Sequence, residues 1–183
     1  IREIGDGAFC RCAALQEIDL PKGLEQIGAN AFRGCASLAE VDLPDSLTRL
    51  GMLAFMDCSA LERVTVPGEI RDLAAGTFCR AGLKQAILSE GVETVALAAF
   101  YDCTALESLT LPASLTSVAN DAFEDCTSLS AVYISDLAAW EAVAFGNETS
   151  DPLYYGAKLY LNGFPFDCIN LSDTLVSLGT NAF

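Results

Sequence analysis

The 183-residue sequence contains no histidine and few basic residues. Histidine is the most common general base and the most common zinc ligand, so its absence argues against most acid–base and zinc-dependent enzymes. Ten Lys and Arg against 25 Asp and Glu give a formal net charge of −15. This charge repels phosphate, which argues against binding to nucleic acid or to an anionic membrane.

Long apolar runs are also missing, although apolar residues make up 52% of the chain. The longest runs have only a few residues, so we expect no segment that inserts into a membrane. The sequence opens at Ile1 inside a repeat and stops at Phe183 within another. We therefore expect targeting segments and terminal caps to lie outside it, as in a fragment of a longer protein.

A repeat of about 23 residues fills most of the chain. Its anchor is a phenylalanine, usually preceded by alanine, which recurs in steps of 23, 23, 23, 22 and 23 at Phe9, Phe32, Phe55, Phe78, Phe100 and Phe123. In five repeats a cysteine follows three residues later, at Cys12, Cys35, Cys58, Cys103 and Cys126. Self-similarity at this period is typical of a solenoid, whose stacked coils share one core.

Each repeat also predicts a short strand, which begins after a leucine that recurs at the same position of every repeat. Two apolar residues, two positions apart, face inward, as a half-buried strand requires. These pairs are Ile18/Leu20, Val41/Leu43, Val64/Val66, Ala86/Leu88, Leu109/Leu111 and Val132/Ile134. We predict coils of two short extended segments and one tight, helical turn, stacked into parallel sheets.

The in-phase pattern Leu-x-x-Ile-x-Leu-Pro, Ile-Gly and Ala-Phe-x-x-Cys resembles the BspA-like leucine-rich repeats of bacterial surface proteins. The second repeat shows it at Leu38, Val41, Leu43-Pro44, Leu50-Gly51 and Ala54-Phe55-Met56-Asp57-Cys58. The resemblance implies a repeat solenoid, a leucine-rich-repeat-like right-handed coil of short parallel β-strands with short helical turns. It also implies a non-enzymatic protein, secreted or on the cell surface, that mediates adhesion or protein binding. From the residues themselves we expect no cofactor and no metal. Its partners would be proteins or glycans of a host or neighbouring cell.

We interpret residues 1–183 as a single leucine-rich repeat domain and expect a monomer. Regular repeats cover 1–134, an irregular repeat with an insert covers 135–168, and a partial repeat covers 169–183. In the insert, Asp136 is expected to cap a short helix over 137–145. Asn162-Gly163 is expected to close a β-hairpin.

The eight cysteines suggest disulfides at first sight, but five of them occupy one equivalent slot. Free cysteine behaves as a small hydrophobic residue and is often buried. We therefore favour a ladder of buried, reduced thiols over disulfides or metal ligation. Cys10 and Cys79 share a second slot three coils apart, roughly 14 Å, which is too far for a disulfide.

Aspartates directly precede three of the ladder cysteines, at Asp57, Asp102 and Asp125. Such a column could bind calcium through its oxygens. No Asp-x-Asp-x-Asp-Gly loop accompanies it, so we favour a solvated acidic edge.

The outward strand positions are the candidate binding site, because the exposed sheet of a curved solenoid commonly binds partners. They form two columns that are acidic at the start, with Glu17 and Glu40 in one and Asp19 and Asp42 in the other, and neutral or aromatic further on. We predict partner contacts at Arg63, Thr65, Gln85, Ile87, Ser108, Thr110 and Tyr133, extended into the insert by Trp140, Tyr154 and Tyr155.

Seven of the sixteen aromatic residues lie within 135–168. They either form a binding platform or fill gaps in an irregular coil, and we favour gap filling. For the whole chain, the alternative to binding is a structural spacer that presents another domain.

Overall fold

The fold is a parallel β-solenoid, seen in a computed structural model that describes residues 1–166. The partial repeat predicted at 169–183 lies outside the described residues. We number the coils one to six by their anchors, Phe9, Phe32, Phe55, Phe78, Phe100 and Phe123. The predicted solenoid with about 23 residues per coil is confirmed.

Thirteen short strands, one short α-helix and one 3₁₀ helix over Glu148–Ser150 make up the regular structure of residues 1–166. In chain order the strands are β1 (Glu3–Ile4), β2 (Gln26–Ile27), β3 (Arg49–Leu50), β4 (Arg63–Val66), β5 (Asp72–Leu73), β6 (Gln85–Leu88), β7 (Thr94–Val95), β8 (Ser108–Thr110), β9 (Ser117–Val118), β10 (Ala131–Ile134), β11 (Ala144–Phe145), β12 (Lys158–Leu161) and β13 (Phe164–Pro165). The helix, α1, spans Leu137–Glu141.

These strands form three sheets, of which the largest has the order β13-β12-β10-β8-β6-β4. From β4 to β12 its strands are parallel and pair residues at the same position of successive coils, as Val64 with Ala86 and Ala86 with Leu109. The second side of the coils carries β1-β2-β3 and β11-β9-β7-β5. The strand register predicted for coils three to six is confirmed.

The strands predicted around Ile18/Leu20 and Val41/Leu43 do not form. The apolar pattern there is the same as in later coils, so the difference lies in the outward residues. Glu17 would stand opposite Glu40, and Asp19 opposite Asp42. Like charges directly opposite each other destabilise a strand pair, which gives a physical reason for this correction.

The core is a set of columns that run along the stack. The anchor rings of successive coils stack face to face, with centroids 5.1 Å apart for Phe32 and Phe55 and 5.6 Å apart for Phe55 and Phe78. Phe32, Phe55, Phe78, Phe100 and Phe123 are all fully buried. No coil encloses its own phenylalanine, so this burial depends on the neighbouring coils.

The segment around each anchor is a series of hydrogen-bonded turns rather than the predicted helix. The amide of Cys35 donates to the carbonyl of Phe32 three residues back, while the amide of Phe32 donates to Ala54 in the next coil. Helix cannot continue because residues two before and two after each anchor have left-handed φ. These pairs are Gly7/Arg11, Asn30/Gly34, Leu53/Asp57, Gly76/Arg80, Ala98/Asp102 and Asp121/Asp125.

The insert adds a further coil to the large sheet. Asp136 accepts a hydrogen bond from the Ala139 amide at 3.0 Å, so the predicted cap is confirmed, although the helix ends at Glu141. The predicted hairpin is also confirmed: β12 and β13 are antiparallel, and Asn162 and Gly163 between them have φ of 52° and 83°. On its other edge β12 pairs in parallel with β10.

Candidate functional site

The outward positions of β4, β6, β8, β10 and β12 form two continuous columns, which we call the exposed sheet face. Their neighbours are in register from coil to coil. One column is Arg63, Gln85, Ser108, Ala131 and Lys158, and the other is Thr65, Ile87, Thr110, Tyr133 and Tyr160. The structure thus brings together seven of the ten residues predicted to bind a partner.

The exposed sheet face has no carboxylate among these ten outward positions, although the chain carries a net charge of −15. Arg63 and Lys158 are its two charged residues, at opposite ends of one column. At its margin Lys84 bonds the Glu62 carboxylate at 2.7 Å, and this bond lowers the pKa of Glu62. The face is therefore neutral to weakly basic on an acidic molecule.

Two stacked tyrosines stand at the far end of this face. The rings of Tyr133 and Tyr160 have centroids 4.9 Å apart and an interplanar angle of 30°. Both are partly exposed, as are Ile87 and Thr110 in the same column. Sequence reasoning missed Lys158 and Tyr160, but aligning Lys158-Leu159-Tyr160-Leu161 with Ala131-Val132-Tyr133-Ile134 would have found them.

The other three predicted residues lie outside the two columns. Trp140 is on α1, where its ring meets Phe145 edge-on at 5.3 Å and packs against the core. Tyr155 accepts a hydrogen bond through its hydroxyl from the Asp125 amide at 2.9 Å, which ties the insert to the anchor turn of coil six. Tyr154 meets Tyr155 edge-on and is 52% exposed. Their part in binding stays a prediction.

The cysteine ladder packs inside the solenoid. Cys35, Cys58, Cys103 and Cys126 are fully buried free thiols, as predicted, and Cys79 is also buried. Burial raises the pKa of Cys58 and of Cys126 to about 12. The prediction is wrong for Cys12, which is exposed because no coil packs on that side of coil one in the described residues.

The aspartate column sits at the left-handed position after each anchor. Asp57, Asp102 and Asp125 have φ of 62°, 56° and 61°. Aspartate tolerates this conformation better than most residues, so backbone geometry accounts for the column. Across residues 1–166, no group of three His, Cys, Asp or Glu side chains is placed to hold a metal ion. The same part of the chain has no helix long and apolar enough to cross a membrane.

The coils are stacked, each of coils three to six contributes a paired strand, and leucine and phenylalanine form columns along the stack. This geometry defines a leucine-rich-repeat solenoid. The chain belongs to the family described as BspA type leucine rich repeat region. Six copies of the repeat match that family's model, over residues 2–130 and 72–150.

Solved structures of bacterial leucine-rich repeat proteins are similar to this chain. A leucine rich cell surface protein from Faecalibacterium prausnitzii is 33% identical over 70% of this chain, with a TM-score of 0.67. A leucine-rich repeat protein from Bacteroides ovatus is 26% identical over 74%, with a TM-score of 0.58. The T. pallidum Leucine Rich Repeat protein is 28% identical over 84%, with a TM-score of 0.73.

The chain spans only part of these structures. It covers 35% of the F. prausnitzii protein, 43% of the B. ovatus protein and 70% of the T. pallidum protein. Among curated proteins, none matches the chain.

Proposed function

We propose that this chain is a non-enzymatic binding module, displayed on a cell surface or secreted, that contacts proteins or glycans of a host or neighbouring cell. The observation that carries the proposal is the exposed sheet face. It is in register over five strands and has no carboxylate at its outward positions, on a chain of net charge −15. Charged groups are costly to desolvate, so a neutral surface on an acidic protein suits burial against a partner.

The column of Ile87, Thr110, Tyr133 and Tyr160 is the centre of the proposed contact. Tyrosine is enriched among the residues that contribute most to binding, since it buries a large ring with few rotatable bonds. The stacked Tyr133–Tyr160 pair is held by its own packing before a partner arrives. A preformed surface loses less side-chain entropy on binding.

The proposed location is supported by one of the similar structures. A similar structure is that of a leucine rich cell surface protein, and this chain is 33% identical to it. The same family supports a binding role, while adhesion is our own proposal.

The test is a binding screen of the chain against immobilised host matrix proteins, mucins and glycans. Tyr133→Ala and Ile87→Asp should each weaken binding to whichever partner is retained by at least about fivefold, near 1 kcal/mol. Met52→Asp is the matched control, because Met52 is 56% exposed and lies outside the exposed sheet face. It should leave affinity unchanged.

Two outcomes would contradict the proposed site or the proposed role. If the strand variants bind normally while Tyr154→Ala abolishes binding, the insert is the binding element. If no immobilised partner binds, a structural spacer that presents another domain replaces the binding module.

A further inference from the structure

A groove crosses coils one and two on the side where their predicted strands are not formed. It is lined by apolar and acidic side chains and is open to solvent. We call it the acidic groove and define it by Ile18, Asp19, Leu20, Asp42, Leu43 and Asp45. A neighbouring depression across coils two to four shares Asp42 and Leu43 with it and is otherwise lined mainly by Arg63, Thr65, Gln85 and Ile87 of the exposed sheet face.

The groove exists because the backbone is unpaired there. Within residues 1–166, segments 17–20 and 40–43 make no backbone hydrogen bonds. Before them the Ala39 amide donates to the Gln16 carbonyl, and after them the Ser46 hydroxyl donates to the Lys22 carbonyl at 2.7 Å. On another side, by contrast, β1, β2 and β3 pair successive turns of the solenoid in this part of the chain. There they approach so closely that a Cβ on Gly51 would collide with the backbone of Gly28.

The floor of the groove is apolar and only partly covered. Leu20 and Leu43 remain partly exposed, whereas Leu88, at the equivalent position of coil four, is 2% exposed. Ile18 is partly exposed as well. Each of these side chains has apolar surface that a ligand could remove from water.

The walls carry carboxylates without partners. Asp19, Asp42 and Asp45 line the groove, and Glu17 and Glu40 lie two residues before Asp19 and Asp42 in the chain. None of these five carboxylates forms an ion pair or accepts a hydrogen bond within the described residues, where the ion pairs lie elsewhere, as between Arg2 and Glu25. Lys22 lines the groove, and Arg63 lines the neighbouring depression, against at least three groove carboxylates. The negative charge here is therefore largely uncompensated, and it attracts cations at moderate ionic strength.

We propose that the acidic groove binds an extended cationic polypeptide in which Lys or Arg alternates with small apolar residues. Alternation places the cations on one side of an extended chain and the apolar residues on the other. The apolar residues and the aliphatic stems of Lys and Arg cover Ile18, Leu20 and Leu43, while the charged ends reach the carboxylates. This goes beyond the proposed function, because the exposed sheet face carries no carboxylate at its outward positions.

The experiment measures fluorescence anisotropy of a short labelled peptide of alternating lysine and valine. Asp19→Asn/Asp42→Asn should weaken its binding at least about tenfold at low salt. Asp102→Asn/Asp125→Asn is the matched control: it removes the same two charges from left-handed positions that asparagine also tolerates, and it should change affinity less than about twofold. Equal weakening by both double variants would overturn the proposal, since attraction to the whole acidic protein would explain it.

A second arm tests the apolar floor. A peptide of alternating lysine and glycine should bind at least about fivefold more weakly than the lysine–valine peptide, because it cannot cover the floor. Equal affinity would reduce the groove to a cation-exchange patch and overturn the proposal. Tyr133→Ala should leave peptide binding unchanged, so failure at the acidic groove is distinguishable from failure at the exposed sheet face.

Discussion

The Cys58 thiol donates a hydrogen bond to the carbonyl oxygen of Phe32, one coil earlier, over 3.1 Å. The same bond joins Cys35 to Phe9, Cys103 to Phe78 and Cys126 to Phe100. The ladder cysteine therefore does more than fill a small apolar slot. It gives a buried carbonyl a second donor, in addition to the amide three residues later.

Thiol reactivity should divide the seven cysteines of residues 1–166 into two classes. Cys10 and Cys12 are exposed, so an alkylating reagent should modify them in the native protein. Cys35, Cys58, Cys79, Cys103 and Cys126 should react only after unfolding, because they are buried and protonated. Peptide mass spectrometry after a brief alkylation assigns each site. Rapid native labelling of Cys58, or a Cys35–Cys58 disulfide, would contradict the buried ladder.

Stability should decrease at alkaline pH because of the same thiols. Burial raises the pKa of Cys58 and Cys126 from 9.0 to about 12. Below pH 9 these thiols are protonated in both the folded and the unfolded state, so their contribution to the free energy of unfolding is fully present. As the pH rises from 9 toward 12 only the unfolded state releases the protons, and this contribution is lost. The slope is about 1.4 kcal/mol per pH unit per thiol. Urea unfolding at several pH values should show a shallower slope for Cys58→Ala/Cys126→Ala than for the control Cys10→Ala.

Much of the fold could be predicted because the same pattern of apolar residues recurs in every repeat. The inward period of two in Val64/Val66 and the 22-residue step to Ala86/Leu88 together determine both strand and register. The missing strands of coils one and two could not be predicted from the apolar pattern, because that pattern does not change. Coils one and two differ from the later coils in their outward residues, where Glu17 would lie opposite Glu40 and Asp19 opposite Asp42.

The turn conformation and the insert were harder to predict for different reasons. The left-handed positions are occupied by residues as different as Leu53, Ala98 and Asp125, so no single residue type marks them. Tyr155 bonds the Asp125 amide 30 residues away, in an insert that has no period to follow. Its contact is a product of tertiary packing alone.

The phenylalanine stack should be the most sensitive part of the core. Phe55→Ala removes a fully buried ring that lies between those of Phe32 and Phe78, and it should lower the free energy of unfolding by about 3–5 kcal/mol. Phe164→Ala is the control, since Phe164 is 69% exposed and should change stability by less than about 0.5 kcal/mol. Urea unfolding measures both. If both variants lowered the free energy of unfolding by a similar small amount, the phenylalanine stack would not be a major source of core stability.

The left-handed turn positions predict a stabilising substitution. Ala98 has φ of 55°, a conformation that disfavours any side chain with a Cβ by roughly 1–2 kcal/mol. Glycine removes this strain but loses more entropy on folding, by about 0.5–1 kcal/mol, so Ala98→Gly should raise the free energy of unfolding by up to about 1.5 kcal/mol. Ala96→Gly, two residues earlier and without a positive φ, has no strain to relieve and should lower it by about 0.5–1 kcal/mol. Thermal or urea unfolding of the two variants and of the parent chain measures both changes in the free energy of unfolding. Equal destabilisation by both would show that the turn is not strained at Ala98.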